Sequence, residues 1–222
     1  MEPRRIDHTS IGYEVGGGLD LRHARWLRGA VAGRAGRSEF HNHAADGLVY
    51  RHPLIRYDVS TGVAVITGLA EGSLLLCGMP AFDVFQLGAS RYPVLGRSVR
   101  RERVPIGPTS QPIDYQFRSP YLALNQENYA TWERDRGPSH NRLLERVLVG
   151  NLLSLSKGIG LHVEERLHAE VDLEPDGWHE VRPGVRLLGF RGSFRVNFTM
   201  PDLWGIGKSS SRGFGTLIRS EA

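Results

Sequence analysis

Hydrophobic positions in the first half of the chain switch between strand-like and helix-like spacing. Alternation is weak in the opening segment, whereas apolar side chains between Leu21 and Val31 recur at the spacing of a helix that Asp20 can cap. The predicted elements are, in order, a strand at 6–12, a helix at 21–31, strands at 48–59 and 63–67 joined by a turn at 61–62, a helix at 70–89 and an extended arm at 94–104. This order is that of a ferredoxin-like domain.

The second half begins with the same strand–helix–strand order. Between the halves, PIGPTSQP at 105–112 predicts a linker, which divides the chain into domains at 1–104 and 113–222. The predicted elements of the second domain are strands at 115–124, 161–173, 185–198 and 214–219, a helix at 139–156 and a turn at 174–177. A duplicated architecture is therefore expected, although no repeat of the sequence itself supports it.

Composition removes several classes of protein. Cys77 is the only cysteine, which excludes an intrachain disulfide framework and a zinc site built on cysteines. No apolar run follows the first arginines, and no weakly charged stretch is long enough for a bilayer, so we expect a cytoplasmic protein without a membrane partner. The net charge is +4, and only two of the 28 cationic side chains are lysines. A basic, arginine-rich chain permits a nucleic-acid partner without demonstrating one.

The segment GIGKSSSRGFG at 205–215 is the best candidate for phosphate binding. Glycines let the backbone approach a polyanion, and serine hydroxyls and cations add further contacts. The candidate residues are Gly205, Gly207, Lys208, Ser209, Arg212, Gly213 and Gly215. A glycine-rich turn that binds nothing is the competing interpretation. Further candidate RNA contacts are Arg97, Arg100 and Arg101 on the extended arm, for which a solvated face is equally open, and Arg191 and Arg195.

A longer segment, FRGSFRVNFTMPDLWGIGKSSSRGFGT at 190–216, resembles the C-terminal signature of the CRISPR-associated endoribonucleases that cut repeat RNA, the sixth Cas family of the RAMP superfamily. Segments at 41–59, 119–129 and 143–161 resemble a compact subgroup of that family. The resemblance implies an α+β fold of two tandem ferredoxin-like (RRM-like) domains with antiparallel sheets. It also implies a cut without metal or cofactor, in which the 2′-OH of the RNA attacks the adjacent phosphate. The products are a 2′,3′-cyclic phosphate and a 5′-OH.

The resemblance places the catalytic histidine just after the first helix, where the sequence has His41 and His43 in a polar loop. Histidine titrates near neutral pH and suits either proton transfer of this reaction. Tyr50 is a third catalytic candidate, and Arg51 and Arg56 follow as candidates for orienting the phosphate. Solvated loop histidines, or a weak metal pair, are the competing interpretation of this His-x-His pattern.

Two other functions stay open at the level of sequence. One is a non-catalytic RAMP subunit that holds guide RNA in a CRISPR effector complex, and the other is an RNA-binding protein of ferredoxin-like fold outside CRISPR. The expected partner is the repeat RNA of precursor crRNA, with other Cas proteins as further candidates. The sequence does not decide between a monomer and a homodimer.

Overall fold

The computed structural model describes residues 2–35, 43–44, 47–48, 52–60, 62–135 and 138–220. The chain divides into two compact units. The N-terminal unit comprises Ile6–Val104 with Ser211–Gly213, and the C-terminal unit comprises Met1–Arg5, Pro105–Ser210 and Phe214–Ala222.

The N-terminal unit is a sheet with two helices. Its elements are β1 (Arg4–Val15), α1 (Ala24–Ala35) after a 3-10 turn, the short β2 (His43–Ala44) and β3 (Gly47–Leu48), β4 (Ile55–Ser60), β5 (Val63–Leu69), α2 (Glu71–Cys77), β6 (Val84–Leu87) and the start of β7 (Ser90–Phe117). The strands lie in the order β4-β5-β1-β7, and β5 is antiparallel to both β1 and β4. This is the strand order of a ferredoxin-like sheet.

The core of this unit forms where one face of the sheet meets the helices. Alternate residues of β1 point into it, among them Ile11 and Tyr13, and Leu27 and Val31 fill it from α1. The ring of Tyr13 meets that of Phe85 edge-on at 5.1 Å. Burial of each such side chain contributes roughly 1.5–3 kcal/mol to the stability of the fold. The helical spacing of the apolar residues in α1 marks the face that packs on the sheet.

The C-terminal unit has the same topology as the N-terminal unit, except that one helix is replaced by an irregular segment. It contains the rest of β7, α3 (Gln126–Arg134), α4 (Pro138–Gly158), β8 (Ala169–Arg182), β9 (Val185–Thr199) and β10 (Leu217–Arg219). β7 lies between β10 and β9, and β8 is antiparallel to β9 at the edge. The glycine-rich segment between β9 and β10 occupies the place in the order that a second helix has in the N-terminal unit. The predicted α+β class and ferredoxin-like topology are confirmed.

Several element boundaries differ from the sequence-based expectation. The helix predicted over 70–89 ends after seven residues at Cys77, because Gly78 and Pro80 follow and β6 forms instead. The expected linker 105–112 is part of the continuous strand β7, with an irregular register opposite β9.

Two further corrections concern the C-terminal unit. The turn expected at 174–177 is a bulge inside β8, and the chain reverses at Pro183 and Gly184. The strand expected from 161 begins only at Ala169. Helix α3 was not predicted, and none of its residues is buried.

Candidate functional site

The loop that carries the catalytic candidates follows α1. His41, Tyr50 and Arg51 lie outside the residues that the structure describes. His43 begins β2, and its backbone lies opposite Leu48 of β3 in a two-residue antiparallel pair. The chain then continues to β4. The catalytic roles of His41, His43 and Tyr50 therefore stay predictions.

Arg56 is not available as a contact for RNA. Its side chain is 1% exposed on β4, and its Nη2 lies 2.9 Å from Oδ2 of Asp58. Burial lowers the pKa of Arg56, and the carboxylate of Asp58 opposes that shift. The structure thus corrects the prediction that Arg56 orients the phosphate, because this guanidinium faces the interior.

His52 precedes β4 and is also buried. Burial, with a further contribution from the charge of Arg56, lowers the pKa of His52 to about 3. At neutral pH this imidazole is therefore uncharged and has no basicity suited to deprotonating a hydroxyl. His52 is therefore a packing residue.

The arginines of the extended arm do not converge on one face. Nη2 of Arg100 lies 2.9 Å from Oε2 of Glu102, two residues further along the same strand. Arg97 lies on the other face, with its guanidinium 5.9 Å from the ring centre of Tyr13. Arg101 shares the face of Arg97, is exposed and forms no ion pair with any residue in the described ranges. This segment therefore presents Arg97 and Arg101 on one side and Arg100, paired with Glu102, on the other.

Arg191 and Arg195 are exposed and already matched by carboxylates. Arg195 on β9 lies directly opposite Asp114 on β7 and donates to both of its carboxylate oxygens, at 2.8 and 2.9 Å. The hydrogen bonds from Arg195 lower the pKa of Asp114. Nε of Arg191 lies 3.0 Å from Oδ2 of Asp176. A phosphate bound here must compete with a carboxylate for each guanidinium.

Backbone N–H groups of the glycine-rich segment are used within the protein. The N–H of Lys208 donates to the carbonyl of Leu122, and that of Gly215 to Pro120, each at 2.9 Å. The N–H of Ile206 donates to the carbonyl of Gly215 at 3.1 Å. These three N–H groups are therefore already used within the protein, and phosphate binding by the segment, which stays a prediction, would depend on its other backbone groups and on its side chains.

Two of the glycines are required by packing. Gly207 has φ of +86°, and a Cβ there would lie 2.6 Å from the ring of Tyr121. Gly215 has φ of +62°, and its Cβ would lie 2.0 Å from the carbonyl oxygen of Ile206. Any side chain at either position would force neighbouring atoms to move.

The remaining candidates of this segment divide between surface and interior. Lys208, Ser209 and Arg212 are half-buried, and Lys208 forms no ion pair with the described carboxylates. Gly205 is buried and pairs with Thr216, and Gly213 is buried with φ of +84°. The side chain of Lys208 is therefore not held by a described carboxylate, and its contact with RNA stays a prediction.

Sequence reasoning missed Tyr121, which holds the glycine-rich segment in place. Its ring is fully buried, stacks on Phe117 at 4.5 Å and faces Gly207. The side chain of Asn151 on α4 donates to its hydroxyl at 2.6 Å. The available signal was the large aromatic in the short apolar run that follows β7.

Gly207→Ala is expected to lower the free energy of unfolding by about 1–3 kcal/mol, because the methyl group meets the ring of Tyr121 and the positive φ is strained. Gly150→Ala on the exposed side of α4 is the control, since a Cβ there meets nothing within 4 Å. That change should stabilise by about 0.5–1 kcal/mol through helix propensity. Urea unfolding of both variants measures the difference, and equal effects would contradict this account of Gly207.

The described part of the chain lacks both a metal-binding cluster and a membrane-spanning helix. It holds no group of three or more histidine, cysteine, aspartate or glutamate side chains placed to hold a metal ion. None of its helices combines the length and apolarity that a bilayer crossing would require.

Known proteins match both halves of the chain. The family model of the Cas6b N-terminal domain matches residues 5–104, and that of the Cas6b C-terminal domain matches 107–220. An uncharacterised protein of Methanocaldococcus jannaschii is 42% identical over 130 residues, which are 59% of this chain and 88% of that protein.

Solved structures agree with the family models. A crystal structure of Cas6b has a TM-score of 0.88 at 28% identity and covers 98% of this chain and 100% of its own. A second, described as the CRISPR RNA processing endoribonuclease Cas6b, has a TM-score of 0.77 at the same identity and coverage. A Cas6-related protein of Pyrococcus furiosus, with a TM-score of 0.60 at 13% identity over 96% of this chain and 99% of its own, shares the fold. These matches confirm the two tandem ferredoxin-like domains, and the chain belongs to the Cas6b family.

Proposed function

We propose that this protein is a CRISPR RNA processing endoribonuclease that binds repeat RNA and cleaves precursor crRNA. The observation that carries the proposal is the family match across both domains. It is joined by the 28% identity to a solved Cas6b that is described as such an enzyme. The position of the His-x-His loop directly after α1 supports the same function.

The proposed reaction is an internal transesterification. The 2′-OH of the nucleotide before the cut loses its proton to a base and attacks the adjacent phosphorus. The bond to the 5′-oxygen of the next nucleotide then breaks, and an acid gives that oxygen a proton. One strand is left with a 2′,3′-cyclic phosphate and the other with a 5′-OH. Because the nucleophile is already part of the substrate, proton transfer and charge stabilisation suffice without a metal.

His41 and His43 supply the base and the acid in this proposal, and the choice between them is open. Tyr50 assists as a hydrogen-bond donor, and Arg51 offsets negative charge that develops on the phosphate. With Arg56 buried, Arg51 is joined by the other predicted RNA contacts, which are Arg97, Arg100, Arg101, Arg191, Arg195, Gly205, Gly207, Lys208, Ser209, Arg212, Gly213 and Gly215. They act in binding rather than in proton transfer.

Cleavage of a cognate repeat RNA is expected to continue in excess EDTA and to leave the two ends described above. The products can be identified by mass spectrometry and by their response to a phosphatase that opens and removes cyclic phosphate. Loss of activity in EDTA, or 3′-OH ends, would contradict the mechanism. Tight RNA binding without any cut would instead support the non-catalytic RAMP subunit.

A further inference from the structure

A groove in the C-terminal unit runs along one face of α4, beside the segment that leads into β8. We call it the α4 groove. Its principal lining residues are Arg142, Arg146, Val149, Leu153, Lys157 and Arg166. None of these side chains belongs to the site described above. The groove consists of two adjoining depressions that share Leu153 and Val163.

The cations of the α4 groove form no ion pairs with the carboxylates that the structure describes. Arg142, Arg146, Lys157 and Arg166 are all exposed, and none forms an ion pair within the described ranges. This distinguishes them from Arg195, whose guanidinium is held by Asp114. Two carboxylates also line the groove, those of Glu145 and Glu165, so that four cations face two anions. The groove thus offers guanidinium donors that need not release a protein carboxylate before they bind a phosphate.

The spacing of these residues fits an extended ligand. Arg142, Arg146, Val149, Leu153 and Lys157 follow one another at intervals of three or four residues, which keeps them on one face of α4. At 1.5 Å per residue the stripe spans about 22 Å. A single phosphate would occupy only one end of it, whereas a polyanion can follow its whole length.

Apolar side chains separate the cations. Leu153 is 44% exposed at the point where the two depressions meet, and Val149 lies one turn before it. A duplex would present only phosphates and sugar edges to this face. An unpaired strand can place phosphates on the arginines and also lay a ribose or a base against the apolar centre.

We propose that the α4 groove binds a single-stranded segment of the repeat RNA through its phosphates, in particular at Arg142, Arg146 and Arg166. This proposal rests on the proposed function, since it assumes that repeat RNA is the ligand. It adds a binding surface within the C-terminal unit, outside the loop and the glycine-rich segment.

Glu165 gives the groove a means of favouring RNA over DNA. Its Oε2 atom is buried and accepts no hydrogen bond from the residues that the structure describes. A buried carboxylate oxygen gains most from a hydrogen-bond donor, and within the sugar–phosphate backbone the 2′-OH of RNA is a donor that DNA lacks. In the proposed complex the Glu165 side chain, which lines the groove, turns so that this oxygen faces the ligand, and a ribose hydroxyl donates to it while the neighbouring phosphate lies on Arg142 or Arg146.

The test compares RNA affinity in two double variants over a series of salt concentrations. Arg142→Ala/Arg146→Ala removes two phosphate contacts, so the slope of log K against log salt should become shallower by about 1.4, with affinity about 20-fold weaker near 0.1 M salt. Arg182→Ala/Arg186→Ala removes the same charge from the exposed β8–β9 turn and is expected to change the slope little. Melting temperatures of both variants show that each is folded.

Two RNAs separate the groove from the rest of the protein. On a repeat RNA with its single-stranded flanks the groove variant should lose affinity, and on the hairpin alone it should match the wild type. The proposal would be overturned if the two double variants lost RNA affinity equally, or if the groove variant lost it equally on the two RNAs. It would also be overturned if the groove variant bound RNA as the wild type does and the groove bound an acidic peptide instead. If the wild type bound the flanked RNA without cutting it, the proposed function would be contradicted. The comparison of RNA affinities between the variants would still test the groove, because it does not depend on cleavage.

The contribution of Glu165 is tested as a ratio. Glu165→Ala removes a negative charge and should raise affinity for any nucleic acid, but it should reduce the preference for RNA over the same sequence in DNA by several-fold. An unchanged ratio would remove Glu165 from the proposal.

Discussion

Replacing His41 or His43 by alanine is expected to lower the single-turnover rate of repeat-RNA cleavage by about 10²- to 10⁴-fold, the usual contribution of a general acid or base. Affinity for the RNA should barely change, because a neutral imidazole adds little to phosphate binding. The rate is measured with the protein in saturating excess over labelled RNA, so that binding does not limit it. The effect should be at least as large in the double variant, where both proton transfers lose their catalyst.

His179→Ala is the matched control for these substitutions. This histidine lies on β8, 3.2 Å from Oδ2 of Asp176, and is remote in sequence from the loop. Its removal should leave the rate at saturation unchanged. Full activity in the double loop variant would place the active site elsewhere. Loss of RNA affinity in that variant would show that the loop binds rather than catalyses.

Most of the fold could be predicted because apolar periodicity records which face of an element is buried. The positions of Leu27 and Val31 predicted α1, and the order of elements predicted the ferredoxin-like topology. The predictions of secondary structure were wrong or missing where the pattern of apolar residues does not reflect burial. Helix α3 buries no residue, and the Pro- and Gly-rich stretch at 105–112 reads as a linker although strand pairing incorporates it into β7.

The candidate site shows a different limit. Glycine is favoured both where a phosphate approaches the backbone and where an aromatic ring does, and at Gly207 the neighbour is the ring of Tyr121. Arginine likewise signals a phosphate contact only if it is exposed and unpaired. Arg56 is neither, and Arg195 is paired with a carboxylate 81 positions away in the sequence. The residues that surround a side chain are determined by the tertiary fold. They cannot be read from the composition or spacing of the neighbouring sequence.

The α4 groove was missed for the converse reason. Its arginines on α4 are interspersed with leucines and a glutamate, as in many amphipathic helices. Their spacing is the same whether the polar face of the helix is solvated or binds a ligand. Only the fold shows that Arg166, which precedes β8, comes beside Arg142 and Arg146. Only the contacts show that these cations lack carboxylate partners among the described residues, whereas Arg191 and Arg195 each pair with an aspartate.

The largest effect is expected from the substrate rather than the protein. A repeat RNA with a single 2′-deoxy sugar immediately before the cut should not be cleaved at that position at all, because the attacking oxygen is absent. It should bind as tightly as the unmodified RNA, since one hydroxyl among many contacts is lost. Placing the deoxy sugar one nucleotide further downstream supplies the control: that RNA retains the nucleophile and should be cut at the normal rate.

Both RNAs are assayed for binding by competition and for cleavage in single turnover with wild-type protein. If the modified RNA is cut at the same bond, an external water is the nucleophile and the internal-attack mechanism is wrong, together with the cyclic phosphate it requires. If instead both deoxy RNAs resist cleavage, the sugar matters through recognition rather than as the nucleophile. The intact, tightly bound complex of the first RNA would also trap the loop residues at the substrate. In that complex, protection of His41 and His43 from chemical modification would place them at the scissile phosphate.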